Sequence, residues 1–155
     1  RTHYFMKGVE GKFHLFVTKS PGVESGYMIA HVTASALVSE NKTLAHPASV
    51  DSLPTSGGQE DFVSMAPWAG QKLLQIQHNV RHILAVELLV AGAANQIASP
   101  NLTSGKGTLP ILNILKSLCK YPNGDRTLSG EIESIAKKIK SGEFVHAVTK
   151  NIILE

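Results

Sequence analysis

Between Ala69 and Ile97 the chain carries Leu73, Leu74, Ile76, Val80, Ile83, Leu84, Val86, Leu88, Leu89 and Val90 with few helix breakers. Apolar residues recurring at three- and four-residue spacing over that distance predict one long α-helix, about 40 Å at 1.5 Å per residue. Because the apolar positions run round most of the circumference, the helix needs neighbours on several sides. Whatever fold the chain adopts must surround this rod. Pro67 either sits in the first turn, where a missing N–H is harmless, or kinks a helix that already begins near Gln59. Gly92, near the C-terminal end, carries a cost in helix propensity.

The remainder supplies more helices and no strand pattern of convincing length. Met28, Ile29, Val32, Ala36 and Leu37 predict a largely buried helix within 23–44, entered from the turn Lys19-Ser20-Pro21-Gly22. After a Pro/Gly/Ser-rich connection over 99–107, a shorter helix is expected over 109–120, then a turn at Tyr121-Pro122-Asn123-Gly124-Asp125. Ile132, Ile135 and Ile139 share one side of a small amphipathic helix over 131–140, ended by Gly142, and a last helix covers 144–152. The fold class expected is all-α, a long-helix bundle. Three or four short helices are too few to cover the long one, so the chain is expected to pack against more protein.

A length of 155 residues with 43% hydrophobic and 17% charged side chains suits a single globular unit with a modest core. The 15 basic and 12 acidic residues are scattered, so the net charge of +3 gives no electrostatic footprint for nucleic acid. Cys119 is the single cysteine and has no partner for an internal disulfide, which fits a reducing compartment. No signal-type segment opens the chain and no uninterrupted apolar run is of bilayer length; the expectation is a cytoplasmic protein without a membrane partner. The chain opens at Arg1 without an initiator Met, a hint that Arg1 is not a natural start.

Several conspicuous residues have ordinary explanations. His31, His46, His78 and His82 do not form a metal-ligand spacing and read as surface or satisfied core histidines. Cys119 reads as a small core residue on an apolar helix face, and Lys137, Lys138 and Lys140 as the solvated C-terminal half of a helix. Ser104-Gly105-Lys106-Gly107 lacks both the spacing of a phosphate loop and a preceding strand.

The stretch from Ala45 to Gly58 contains two prolines, two glycines and several hydroxyl residues, and predicts a loop. Loops of more than about 12 residues are uncommon inside compact domains and are often functional where they persist. The polar cluster Pro54-Thr55-Ser56-Gly57-Gly58-Gln59-Glu60-Asp61-Phe62-Val63-Ser64-Met65 follows, where the loop meets the long helix. Its adjacent carboxylates have two readings. One is a helix cap that favours the dipole. The other is a base or substrate anchor pointing into a pocket, with its neighbour holding the turn.

The run Ser39-Glu40-Asn41-Lys42-Thr43-Leu44-Ala45-His46-Pro47-Ala48-Ser49-Val50-Asp51-Ser52-Leu53-Pro54-Thr55-Ser56, with Gln59-Glu60-Asp61-Phe62-Val63-Ser64-Met65, resembles the C-terminal half of the aromatic amino acid ammonia-lyases without a gap. Looser similarity extends through 25–30, through 79–87 and into Asp125-Arg126 and Glu131-Ile132. By this resemblance the chain is the C-terminal helical segment, residues 1–155, of a larger ammonia-lyase with the helical fold shared with fumarases.

The family eliminates ammonia with a methylidene-imidazolone electrophile formed from an internal Ala-Ser-Gly triplet. No such triplet occurs here. The resemblance therefore implies that the electrophile and the proton-abstracting tyrosine belong to a missing N-terminal portion, and that this chain alone is inactive. It also implies a homotetramer whose sites combine residues of several subunits, acting on a small-molecule amino acid.

Met28, Ser56 and Glu60 match the histidine-specific members, where plant phenylalanine ammonia-lyases carry lysine, glutamate and glutamine. The implied reaction is conversion of L-histidine to trans-urocanate. Glu60 would accept the imidazole N–H and stabilise the protonated ring, with a possible acid/base contribution. Met28 would be a pocket residue, Ser56 and Gln59 would shape the loop, and Asp61 would be a cap or structural carboxylate. Histidine-specific members usually have histidine where this chain has Phe62. A tyrosine or phenylalanine lyase, an aminomutase, and a non-catalytic helical scaffold are the competing readings.

Overall fold

The computed structural model describes residues 1–10, 12–98, 103–121, 124–150 and 152. Among these residues six α-helices form: α1 (Thr2–Met6), α2 (Met28–Leu44), α3 (Ala66–Ala98), α4 (Thr108–Leu118), α5 (Ser129–Lys140) and α6 (Glu143–Thr149). Among the described residues there is no strand, only isolated bridges such as Val9 with Phe13 and Thr55 with Glu60. The all-α expectation holds.

The predicted rod is α3, 33 residues long. It begins at Ala66, so Pro67 lies in the first turn and does not kink a helix begun at Gln59. Ser64 Oγ accepts the Ala66 N–H at 3.3 Å, so a hydroxyl caps this end and the Glu60-Asp61 pair does not. The second half of α3 is the centre of the core: Ala85, Val86, Leu89, Val90 and Ala93 are fully buried. They pack with Ala30 and Ala34 of α2, Leu112 and Leu115 of α4, Ile135 of α5 and Phe144 of α6. By length and mean hydropathy α3 would also reach across a bilayer. Within that helix the fully buried residues Ala85, Val86, Leu89, Val90 and Ala93 face the other helices, while Val80 and Leu84 stay exposed.

Two contacts explain residues that are otherwise unfavourable in a helix. Tyr121 lies across Gly92 and donates its hydroxyl hydrogen to the Leu89 carbonyl at 3.0 Å; a Cβ at residue 92 would sit 2.6 Å from that phenol oxygen. The cost in helix propensity at Gly92 thus makes room for a ring. Asn79 is 1% exposed and fully bonded. Its amide donates to Glu40 Oε2 at 3.0 Å and to Asn41 Oδ1 at 2.9 Å, and Gln75 donates to its oxygen at 3.3 Å, fastening α2 to α3.

Elsewhere the boundaries shift. α2 starts only at Met28, after Gly26 has turned the chain at φ +55°. Cys119 is buried as expected but lies just beyond α4 in extended backbone, where Leu118 has ended the helix. α5 ends before Gly142, as predicted, and α6 stops at Thr149. α1 and the 3-10 turn at Leu15–Val17 carried no recognised signal. Pro122 and Asn123 of the predicted turn, and residues 99–102 of the predicted connection, lie outside the described residues.

Candidate active site

Glu60 sits at the end of a closed hairpin. Thr55 and Glu60 exchange backbone bonds, N–H of Thr55 to the Glu60 carbonyl at 2.9 Å and N–H of Glu60 to the Thr55 carbonyl at 3.3 Å. Inside it, Gly58 donates to the Thr55 carbonyl at 3.0 Å and Gln59 to the Ser56 carbonyl at 3.3 Å. Closing so tight a loop puts three consecutive residues at left-handed φ: Ser56 at 55°, Gly57 at 65° and Gly58 at 91°. A Cβ at Gly57 or Gly58 would meet nothing within 4 Å, so these glycines are required by backbone conformation and not by space. Ser52 Oγ accepts the Val63 N–H at 2.8 Å and Lys72 Nζ donates to the His46 carbonyl, tying the loop to itself and to α3.

The hairpin presents its side chains outward. Ser56, Gln59, Glu60 and Asp61 are exposed, and Phe62 is 80% exposed. The carboxylates of Asp51, Glu60 and Asp61 have no hydrogen-bond or ion-pair partner among the described residues. Asp61 caps no helix here, because α3 begins five residues later at Ala66. The loop therefore holds unspent negative charge on a pre-shaped backbone, which suits a cationic or N–H-donating guest.

Met28 is half-buried at the first position of α2. The loop carrying Ser56, Gln59 and Glu60 leaves α2 from the other end, after roughly 24 Å of helix axis. The three loop candidates are thus brought together, and Met28 stands apart from them. Its end of α2 is nevertheless elaborately built. Phe16 and Val17 adopt φ of 59° and 56°, unusual for an aromatic and more so for a β-branched residue, and Val17 is 2% exposed. The Phe16 carbonyl accepts the Tyr27 N–H at 3.0 Å. Sequence reading missed this strained segment, which has no glycine to announce it.

A second set of charged residues joins the chain's two ends. Asp125 accepts the N–H groups of Ser25 and Gly26 at 2.8 and 2.9 Å, and these bonds hold its carboxyl below the usual range. Arg126 places Nε and Nη2 on Glu131 at 2.8 and 2.9 Å. Tyr27 is buried, which raises its phenol pKa. His82 puts Nδ1 2.9 Å from the His78 carbonyl and Nε2 3.1 Å from Glu133, whose carboxyl is held low by that contact. No group of three metal-binding side chains occurs among the described residues. Lys138 pairs with Glu143 at 2.5 Å, and Lys137 lies 3.9 Å from Glu133.

The model of a family described as aromatic amino acid lyase matches residues 1–117. Over 129 residues the chain is 50% identical to a histidine ammonia-lyase of Burkholderia cenocepacia, covering 83% of this chain and 25% of that one. The solved structure of a histidine ammonia-lyase from Trypanosoma cruzi superposes with a TM-score of 0.84 at 36% identity, over 91% of this chain and 28% of that one. A tyrosine aminomutase from Streptomyces globisporus superposes with a TM-score of 0.86 at 30% identity, over 94% and 27%. The chain spans about a quarter of the length of the curated relatives it matches.

Proposed function

Since this chain belongs to the aromatic amino acid lyase family, we propose that it is the C-terminal segment of a histidine ammonia-lyase and supplies the carboxylate, Glu60, that binds the substrate's imidazole. The reaction breaks the Cα–N bond of L-histidine, removes a proton from Cβ and forms the double bond of trans-urocanate, releasing ammonia. The observation that carries this reading is the closed hairpin that holds Glu60 without an internal partner. Its charge is free for a ring that donates an N–H, and a bound imidazolium would satisfy it. A phenyl ring would bury the same charge unpaired, at a cost of several kcal/mol on the scale of desolvated ions.

The family's methylidene-imidazolone does not fit the residues present, because the chain has no Ala-Ser-Gly triplet from which to form it. That electrophile is the contribution of polypeptide outside these residues, and the chain by itself is inactive. Here the chain's own residues bind and orient. Glu60 receives the ring, Ser56 and Gln59 shape the hairpin, and Met28 forms a pocket wall. Because Met28 and the hairpin occupy opposite ends of α2, one substrate meets both when copies of the chain assemble, which supports the homotetramer. The buried, single Cys119 suits the cytoplasm.

Glu60→Gln keeps the shape of the side chain and removes its charge. In the complete enzyme it is expected to lower urocanate formation, followed by ultraviolet absorbance, by roughly a hundredfold or more without changing the melting temperature. Unchanged turnover would remove Glu60 from the site. Phe62, where histidine-specific members usually have histidine, and the likeness to a tyrosine aminomutase favour tyrosine chemistry as the second reading. Coumarate or β-tyrosine from tyrosine, with no urocanate from histidine, would establish it.

A further inference from the structure

We infer that Asp125 and Arg126 form a positioning clasp, which fixes the start of α2 and thereby the placement of Met28 from a hundred residues downstream. The inference rests on the reading of Met28 as a pocket wall. α2 has no side-chain cap of its own: its N-cap residue is Tyr27, whose side chain makes no capping bond. The two N–H groups just before it, on Ser25 and Gly26, are instead taken one each by the two oxygens of Asp125, at 2.8 and 2.9 Å. A distant carboxylate thereby puts negative charge at the helix start, where a local Asp or Ser would ordinarily stand.

Arg126 extends the grip by one residue. Its guanidinium lies 5.9 Å from the centroid of the Tyr27 ring, and Nη2 is 3.4 Å from the Tyr27 hydroxyl oxygen. Glu131 holds the guanidinium in place through two parallel bonds in a largely buried pair, 18% and 12% exposed. Asp125 and Arg126, consecutive in sequence, thus hold Ser25, Gly26 and Tyr27, and the next residue is Met28. The opposite side of the segment is equally confined. The Phe16 carbonyl bonds the Tyr27 N–H, and a Cβ on Gly26 would lie 2.5 Å from that same oxygen. The helix start is thus pinned on both sides, while the α2–α3 contact is fastened separately at Asn79.

The test is a double-mutant cycle in the complete, assembled enzyme, with Asp125→Asn, Met28→Ala and the pair, and with constants normalised to active-site content. The clasp predicts that Asp125→Asn raises KM for L-histidine about tenfold with kcat little changed, since misplacing a wall weakens binding throughout the reaction. It also predicts that the effect largely disappears in the Met28→Ala background. A merely structural bond would lower the melting temperature and leave KM alone. An unchanged KM, or effects that simply multiply, would overturn the clasp. If Asp125→Asn does not assemble, Arg126→Lys, which keeps the charge and loses the two-pronged contact, goes through the same cycle with the same expectation. A wild type that makes no urocanate would defeat the histidine reading alone; the cycle is then run on the aromatic amino acid that the enzyme does convert.

Discussion

Gly58 and Gly92 are glycines for opposite reasons, and substituting each by alanine separates the two. At Gly58 there is open space but a φ of +91°, so Gly58→Ala strains the backbone by about 1–2 kcal/mol. That strain is best relieved by opening the hairpin that aims Glu60. On the function proposed above, the expected result is a modest change in melting temperature and a pronounced loss of histidine turnover. At Gly92 the conformation is helical but the space is filled by Tyr121, so Gly92→Ala overpacks the core by about 1–3 kcal/mol. Here the melting temperature should fall by several degrees while kcat of the surviving enzyme stays the same. The reverse pattern in thermal unfolding and steady-state rates would contradict both assignments. Residue types alone suggested a loop around 57–58 and an unfavourable glycine at 92. Neither reason was legible, because one is a dihedral angle and the other a ring thirty residues away.

Elements followed the sequence where a local period or breaker decides them. α3 keeps its apolar spacing, Pro67 falls in a first turn and Gly142 closes α5. What escaped is long-range or strained: the left-handed Phe16-Val17 pair, and the bonds from Asp125 back to Ser25 and Gly26. In the sequence Asp125 reads as a turn residue, since nothing near it reveals a carboxylate occupied a hundred positions upstream. Its consequence for pH is definite. Asp125 and Glu133 both have carboxyls lowered from ordinary values of 3.8 and 4.5, by backbone N–H bonds and by His82 respectively. A folded-state pKa below the unfolded one stabilises at neutral pH, and that stabilisation is lost as the pH falls through this range. Melting temperature measured from pH 7 to pH 3 should therefore begin to drop below about 4.5. Asp125→Asn should flatten the lower part of that curve, and a parallel curve would refute the assignment.

At the scale of the molecule, the core and the candidate site lie at opposite ends of α3. The C-terminal half carries the fully buried residues of the core, whereas Leu73, Leu74 and Val80 in the N-terminal half are 55%, 67% and 40% exposed. Ile29 and Val32 of α2 are likewise exposed, at 61% and 56%. Exposed apolar side chains on both long helices ask for a neighbour. The long apolar run had already implied one, since a rod hydrophobic round most of its girth exceeds what five shorter helices can bury. Burying Leu73 and Leu74 against further polypeptide would be worth about 1.5–3 kcal/mol each. Replacing both with glutamine should therefore weaken assembly of the complete enzyme while leaving the core around Leu89 intact. Gel filtration should show dissociated species, and, on the proposal that sites are shared between copies, activity should recover at higher protein concentration. An assembly equally stable in the double variant would mean that this face of α3 meets solvent and is no part of the interface.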